Sequence, residues 1–268
     1  MALTLYRTFL VTPMDQDGGV RSRPRHVIFD LDGTLADSSP GILWSFHSTL
    51  EVIGLEADED TLRRLIGPPL GDSFRMLGVP EDDVERVVEI YRDFYAGRGV
   101  AHASLYDGVA ATLEALVDEG VRLAVATAKR VDFARQMLAN LDVDEHFDLV
   151  AGASLDLSVT AKYDIMSEVL DTWVVSELRD VWMVGDRHYD MAAARAHGVV
   201  AVGAQWGFGS DAELSEAGAH WLAARPGDLL DESATGGSPV CLLGEVCEVC
   251  GAVLDAAHPT PCDADGTS

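Results

Sequence analysis

Five short segments of this chain are almost wholly apolar: HVIFDL (26–31), RLAVAT (122–127), FDLVAG (147–152), DVWMVG (180–185) and VVAVG (199–203). Helix-patterned runs separate them. Val109, Leu113, Leu116 and Val117 fall on one helical face ahead of the second segment, and YDMAAARAHG lies between the last two and stops at Gly198, a helix-ending residue. A strand without polar alternation has to be covered on both faces. Strands of that kind alternating with helices predict an α/β fold built on a parallel sheet between two helical layers.

Residues 41–103 break the rhythm. GILWSFHSTLEVIG, EDTLRRLIG, LGDSFRMLG and EDDVERVVEIYRDFYAGRG all carry helical spacing, punctuated by glycine or proline, and none reads as a strand. They form an all-helical insert between the first and second strands. Ser39-Pro40 fits an N-cap followed by proline in the first turn, and the IGPPLGDS loop (66–73) is too rigid for a casual linker. The organisation expected is an extension at 1–23, a core from 24–40 and 104–225, the insert at 41–103, a linker at 226–240 and a tail at 241–268.

The formal net charge of −26 repels nucleic-acid backbones, so no nucleic-acid partner is expected. No run of about 20 apolar residues is present, so no membrane span is expected either. All four cysteines lie beyond residue 240, which fits a reducing cytoplasm rather than a disulfide framework. The 19 basic residues include only two lysines, Lys129 and Lys162. A lysine is a compact point charge where arginine is a planar fork, so the two that remain draw attention to their positions.

Ligands of an open parallel sheet bind beyond the carboxyl ends of its strands. The residues there are Asp30, Asp32, Gly33 and Thr34 after the first strand, and Thr127, Ala128 and Lys129 after the second. Lys162 precedes a later helix; Gly185, Asp186 and Asp190 follow the fourth strand. Carboxylates gathered this closely repel one another unless a cation sits among them. An oxygen-only donor set with room for phosphate and water suits Mg²⁺. A hydroxyl and an ammonium complete an anion site, and the chemistry implied is phosphoryl transfer.

DLDGTLADS, VATAK, Lys162 and VGDRHYDMAAARAHGV resemble the four ordered motifs of the haloacid dehalogenase superfamily of phosphatases, across residues 24–225. SSPGI, IGPPLGDSF and LYDGV resemble its phosphoglycolate-phosphatase-like branch. The resemblance implies a Rossmann-like parallel sheet core with an inserted small all-helical cap domain. It implies Asp30 as nucleophile and Mg²⁺ ligand. It gives Asp32 the general acid/base role, with its carbonyl on the metal. Lys162 would neutralise charge, Thr127 and Ala128 would bind the phosphoryl group with the backbone at Leu31 and Asp32, and Asp186 and Asp190 would hold metal. The substrate implied is a small phosphorylated metabolite, with phosphoglycolate or a nucleoside monophosphate as first guesses. A phosphosugar mutase keeps both Asp30 and Asp32 and stays open as an alternative; a non-catalytic scaffold is the rival from another class. In the tail, Cys247 and Cys250 have C-x-x-C spacing, and Cys241, Cys262 or His258 could complete a Zn²⁺ site; a disordered tail with free thiols is the competing reading. Arg75 and Arg98 are candidates for gripping a second substrate anion.

Overall fold

The computed structural model describes residues 23–156 and 158–230. The cysteine tail with its zinc reading, and nearly all of the N-terminal extension, lie outside the described residues.

The central sheet has six strands, all parallel: β1 (His26–Phe29), β4 (Arg122–Arg130), β5 (Leu149–Ala153), β6 (Val181–Gly185), β7 (Val200–Ala204) and β8 (Trp221–Ala223). Their order is β5-β4-β1-β6-β7-β8. The chain therefore builds to one side of β1 and then returns to pair β6 on its other side. The carboxyl end of β1, flanked by β4 and β6, is the topological switch point. All five expected strands are present. β8 is the addition, and its three residues are too short to show a period.

Both faces of the sheet are apolar, which is why no alternation was visible. Val27, Phe29, Val125 and Val184 face one layer, which includes Leu113 and Leu116 of α5 (Val109–Asp118) and Met137 of α6 (Val131–Asn140). Ile28, Ala124, Ala126 and Met183 face the other, which includes Ile165 and Val169 of α7 (Lys162–Trp173) and Met191 of α8 (His188–His197). α8 ends at Gly198 in a left-handed conformation (φ 72°), as expected of that glycine.

The insert is helical throughout: α1 (Ser39–Ile53), α2 (Glu59–Arg64), α3 (Leu70–Met76) and α4 (Glu81–Gly97). Phe46, Phe74 and Tyr91 pack their rings together at its centre, with centroids 4.9–6.0 Å apart. Both crossings between insert and core are pinned side by side, because β2 (Ala36–Asp37) pairs antiparallel with β3 (Ser104–Leu105). The last two helices are α7's neighbour α8 and the short α9 (Asp211–Glu216).

Three expectations need correction. The residue preceding α1 is Ser38, not Ser39, and its hydroxyl makes no cap bond; Asp37 Oδ1 instead accepts the Ser39 N–H at 3.0 Å. Residues 70–73 of the expected loop are already the first turn of α3. Residues 226–230, expected to begin a linker, form a 3₁₀ turn that buries Leu229 in the core on the α5 side.

α1 crosses the neck so closely that a Cβ at Gly41 would lie 2.0 Å from the Gly99 carbonyl oxygen, a backbone atom that cannot swing aside. Gly41→Ala is therefore expected to destabilise the fold by about 1–3 kcal/mol, the range for overpacking. Thermal unfolding of the purified variant should show a fall of several degrees, and an unchanged midpoint would refute the close crossing.

Candidate active site

Asp30 leaves β1 with its N–H bonded to Val184 O of β6 (2.9 Å), so the two strand ends are locked together. The chain then turns sharply. Gly33 has φ 86°, and a Cβ there would lie 2.2 Å from Asp186 Oδ2. The glycine of DLDGT is thus required by conformation and by the approach of a carboxylate from β6. Thr34 Oγ1 donates to Asp186 Oδ1 (2.9 Å), and the Phe208 N–H donates to Oδ2 (2.9 Å).

Asp30, Asp186 and Asp190 converge, with one carboxylate oxygen from each within 4.8 Å of the others, and all three are buried. Lys162, the first residue of α7, reaches among them. Its Nζ lies 2.9 Å from Asp30 Oδ1 and 2.8 Å from Asp190 Oδ1, and donates to Ala126 O at 2.9 Å. Burial raises Asp30 to about 6; Lys162 holds it back, while Asp190 adds to the rise. Asp186 has no lysine. Burial, then Asp190 and Asp30, push it to about 8 against the Phe208 and Thr34 hydrogen bonds. Burial acts against the Lys162 charge, but Asp190 and Asp30 more than restore it and raise its pKa.

Three buried carboxylates beside a single ammonium leave negative charge in excess. Asp190 Oδ1 is near that ammonium but receives no directed hydrogen bond. An orphaned hard oxygen in a cluster of carboxylates is a donor set that fits a divalent cation.

Asp32 belongs to a second group. Lys129 Nζ is 3.0 Å from its Oδ1, and the Ser38 hydroxyl donates to the same oxygen. Lys129 in turn donates to Tyr95 Oη at 2.8 Å, across from α4 of the insert. β4 is irregular between Thr127 and Arg130, which re-aims this stretch. Thr127 is buried at the strand end; its Oγ1 accepts the Lys129 N–H at 3.2 Å, so its own O–H is free to donate. Ala128 is exposed and offers a ligand only its backbone. The Leu31 N–H is turned onto Asp30 Oδ1 (2.7 Å), at the spot where an anion is expected.

Arg187 links the site to the insert. Its Nη1 donates to Ile66 O (2.5 Å) and its Nε to Glu213 Oε1 (2.9 Å). Burial works against the Glu213 charge, but hydrogen bonds from Arg187 and His188 hold its carboxyl at about 2. Arg75 points away from this role, since Glu81 and Asp72 engage it on the surface at 2.7 and 2.8 Å. Arg98 lies over the Trp44 ring, 5.3 Å from its centroid.

The family model for haloacid dehalogenase-like hydrolases matches residues 27–204, from β1 through β7. The chain belongs to this family. Among curated proteins it is 42% identical over 191 residues to the tyrosine-protein kinase PtkA of Mycobacterium tuberculosis, covering 69% of this chain and 64% of that one. It therefore spans somewhat under two thirds of that relative's length. It is 36% identical over 191 residues to a 5'-nucleotidase of Pseudomonas aeruginosa, covering 70% of this chain and 86% of the nucleotidase. A haloacid dehalogenase-like family hydrolase from Streptococcus pneumoniae superposes with a TM-score of 0.73 at 32% identity, covering 78% of this chain and 97% of that structure.

Asp30, Asp186, Asp190 and Lys162 converge at the carboxyl end of β1, and Asp32 meets Lys129 and Ser38 instead. Sequence reasoning gave no role to Ser38, Tyr95 or Glu213, and it placed Arg187 only at an entrance or in a solvated loop; the partners of Tyr95, Arg187 and Glu213 lie 26 to 121 residues away along the chain. Its rarity and its place in VATAK after the second strand pointed toward Lys129.

The raised Asp186 carboxyl carries a sign. A carboxyl whose pKa is about 8 folded and about 4 unfolded costs stability as pH climbs between those values, in the absence of cation. Asp186→Asn is therefore expected to melt at least about 2–4 °C above wild type at pH 8 in a chelator, and to show no such gain at pH 4. Melting curves at both pH values test this. Equal midpoints at pH 8 would show that Asp186 is not strained.

Proposed function

We propose that this chain hydrolyses small phosphomonoesters through a phosphoryl group carried on Asp30. The observation that supports it is a carboxylate at the switch point, buried beside Lys162 and facing two further acidic side chains that suit a cation. Its family membership supports the reaction class. Asp30, Asp186 and Asp190, with the Asp32 carbonyl, would hold Mg²⁺. The ion would offset charge on the transferring group and orient it.

The residues of the chain divide the rest of the work. An Asp30 oxygen attacks phosphorus as the bond to the leaving oxygen breaks, and Asp32 gives that oxygen its proton. Water then attacks the same phosphorus, gives a proton to Asp32, and the bond to Asp30 breaks. The products are an alcohol and phosphate, and Asp32 ends protonated as it began. Thr127 donates its hydroxyl to a phosphoryl oxygen. The Leu31 and Asp32 N–H groups and the Ala128 backbone cradle the others, and Lys162 balances charge on nucleophile and phosphate. The helical insert acts as a cap that excludes water from the bond being broken. Phosphoglycolate and nucleoside monophosphates are the first candidates, the second supported by the nucleotidase relative.

A second reading deserves a test because of the 42% identity to a named tyrosine-protein kinase. The same site would then pass phosphoryl groups to a tyrosine hydroxyl instead of water.

Phosphate release from a panel of metabolite phosphates with Mg²⁺, run beside radiolabel transfer from ATP to protein tyrosine, separates the two. Release that Asp30→Asn reduces at least about 10³-fold supports hydrolysis through Asp30. Label on tyrosine without release would replace it with the transferase reading.

A further inference from the structure

Asp32 is held by two core residues, one of which is tied to the insert through Tyr95. Both of its anchors, Ser38 Oγ and Lys129 Nζ, meet the same oxygen, Oδ1. Oδ2 takes no hydrogen bond from any described residue. Lys129 is itself almost enclosed, its side chain 9% exposed, and lies against Tyr95 with Nζ 4.5 Å from the ring centroid and 2.8 Å from the hydroxyl. Tyr95 is fixed in turn. Its ring stacks on Tyr91 of the same helix (6.0 Å) and meets Phe133 of the core helix α6 edge-on (5.4 Å).

We propose that Lys129 and Tyr95 are positioning residues for proton transfer. Tyr95, carried by α4, holds the Lys129 ammonium; Lys129 and Ser38 together pin Asp32 through Oδ1 and leave Oδ2 to face the leaving oxygen. The inference rests on the hydrolase reading and assigns these two residues a part in it.

The physical requirement is geometric. A general acid works only within hydrogen-bond reach of the oxygen it protonates, and its contribution is lost when the carboxyl turns away. A carboxyl held by one oxygen from two sides cannot rotate without breaking both bonds. A lysine without a second partner would swing with its four-carbon stem, so the Tyr95 hydroxyl is what turns a flexible charge into a fixed one. Lys162, in contrast, has three oxygens within 2.9 Å, all from the core, and needs nothing from the insert. The nucleophile is therefore set by the core alone, while the acid is set jointly by core and cap.

Leaving-group dependence tests this. The value of kcat/KM covers the steps through formation of the phosphorylated Asp30, in which Asp32 protonates the leaving oxygen. Phenyl phosphate needs that proton because phenoxide is strongly basic; 2,4-dinitrophenyl phosphate does not. Tyr95→Phe removes the hydroxyl and keeps the ring contacts, Lys129→Met removes the charge at similar volume, and Asp32→Asn sets the full size of the effect. Tyr95→Phe is expected to lower kcat/KM for phenyl phosphate at least about tenfold more than for 2,4-dinitrophenyl phosphate, and Lys129→Met more strongly, within the 10²–10⁴-fold range of a general acid. Equal falls on both esters in Tyr95→Phe, with wild-type melting, would overturn the positioning role and leave the hydrolase reading standing. A wild-type enzyme inactive on both esters and on metabolite phosphates would overturn the hydrolase reading and this inference with it.

Discussion

The ammonium of Lys162 is the point on which the site depends. It sits at the start of α7, yet it contacts the end of β1 through Asp30, the middle of β4 through Ala126 O, and the first turn of α8 through Asp190, all within 2.8–2.9 Å. Carboxylates buried this deeply could not remain ionised together without a cation, and removing one member of such a set leaves an unpaired buried charge. The same contacts hold the strand ends in register at the switch point. Electrostatics and topology therefore make one demand: the sheet must bring three separate stretches of chain to a single lysine. Charge remains in excess around Asp186, which makes the site receptive to a divalent cation.

The second layer of organisation runs between core and insert. β2 and β3 pin the two crossings. Arg187 ties the residue after Asp186 to Ile66 of the insert, and Lys129 ties Asp32 to Tyr95. One of these ties lies next to Asp186 and the other next to Asp32. A helical insert seated this way does more than cover the reaction. It also takes part in holding side chains at the end of the sheet, Lys129 through Tyr95 and Arg187 through Ile66.

Much of this was legible in the chain because local chemistry carried it. Continuous apolar strands announced a sheet buried on both faces, and Gly33, Gly198 and the acids beside the strands stood out by type and position. What was hidden depended on partners distant in sequence. β8 is three residues long and carries no period of its own; it is a strand because β7 offers it an edge. Ser38 looked less like a helix cap than Ser39, and its hydroxyl in fact serves Asp32. Residues 226–230 have a linker's composition, and burial of Leu229 in the core makes them part of the fold. Lys129 and Lys162 were equally conspicuous by rarity, but nothing along the chain distinguished an ammonium among three core oxygens from one shared with the insert.

The sequence by itself determined the architecture and singled out the acids and lysines beside the strand ends. Hydrophobic pattern fixes which segments must be covered, and charged side chains next to buried strands have no stable place except a shared one at the strand ends. Only the tertiary structure decided how the acids are divided. Asp30 and Asp32 are two residues apart, yet one is neutralised from α7 and the other from β4 with help from α4. That division follows from contacts between residues 34 to 132 positions apart along the chain, which are set by packing between elements and leave no mark on local composition.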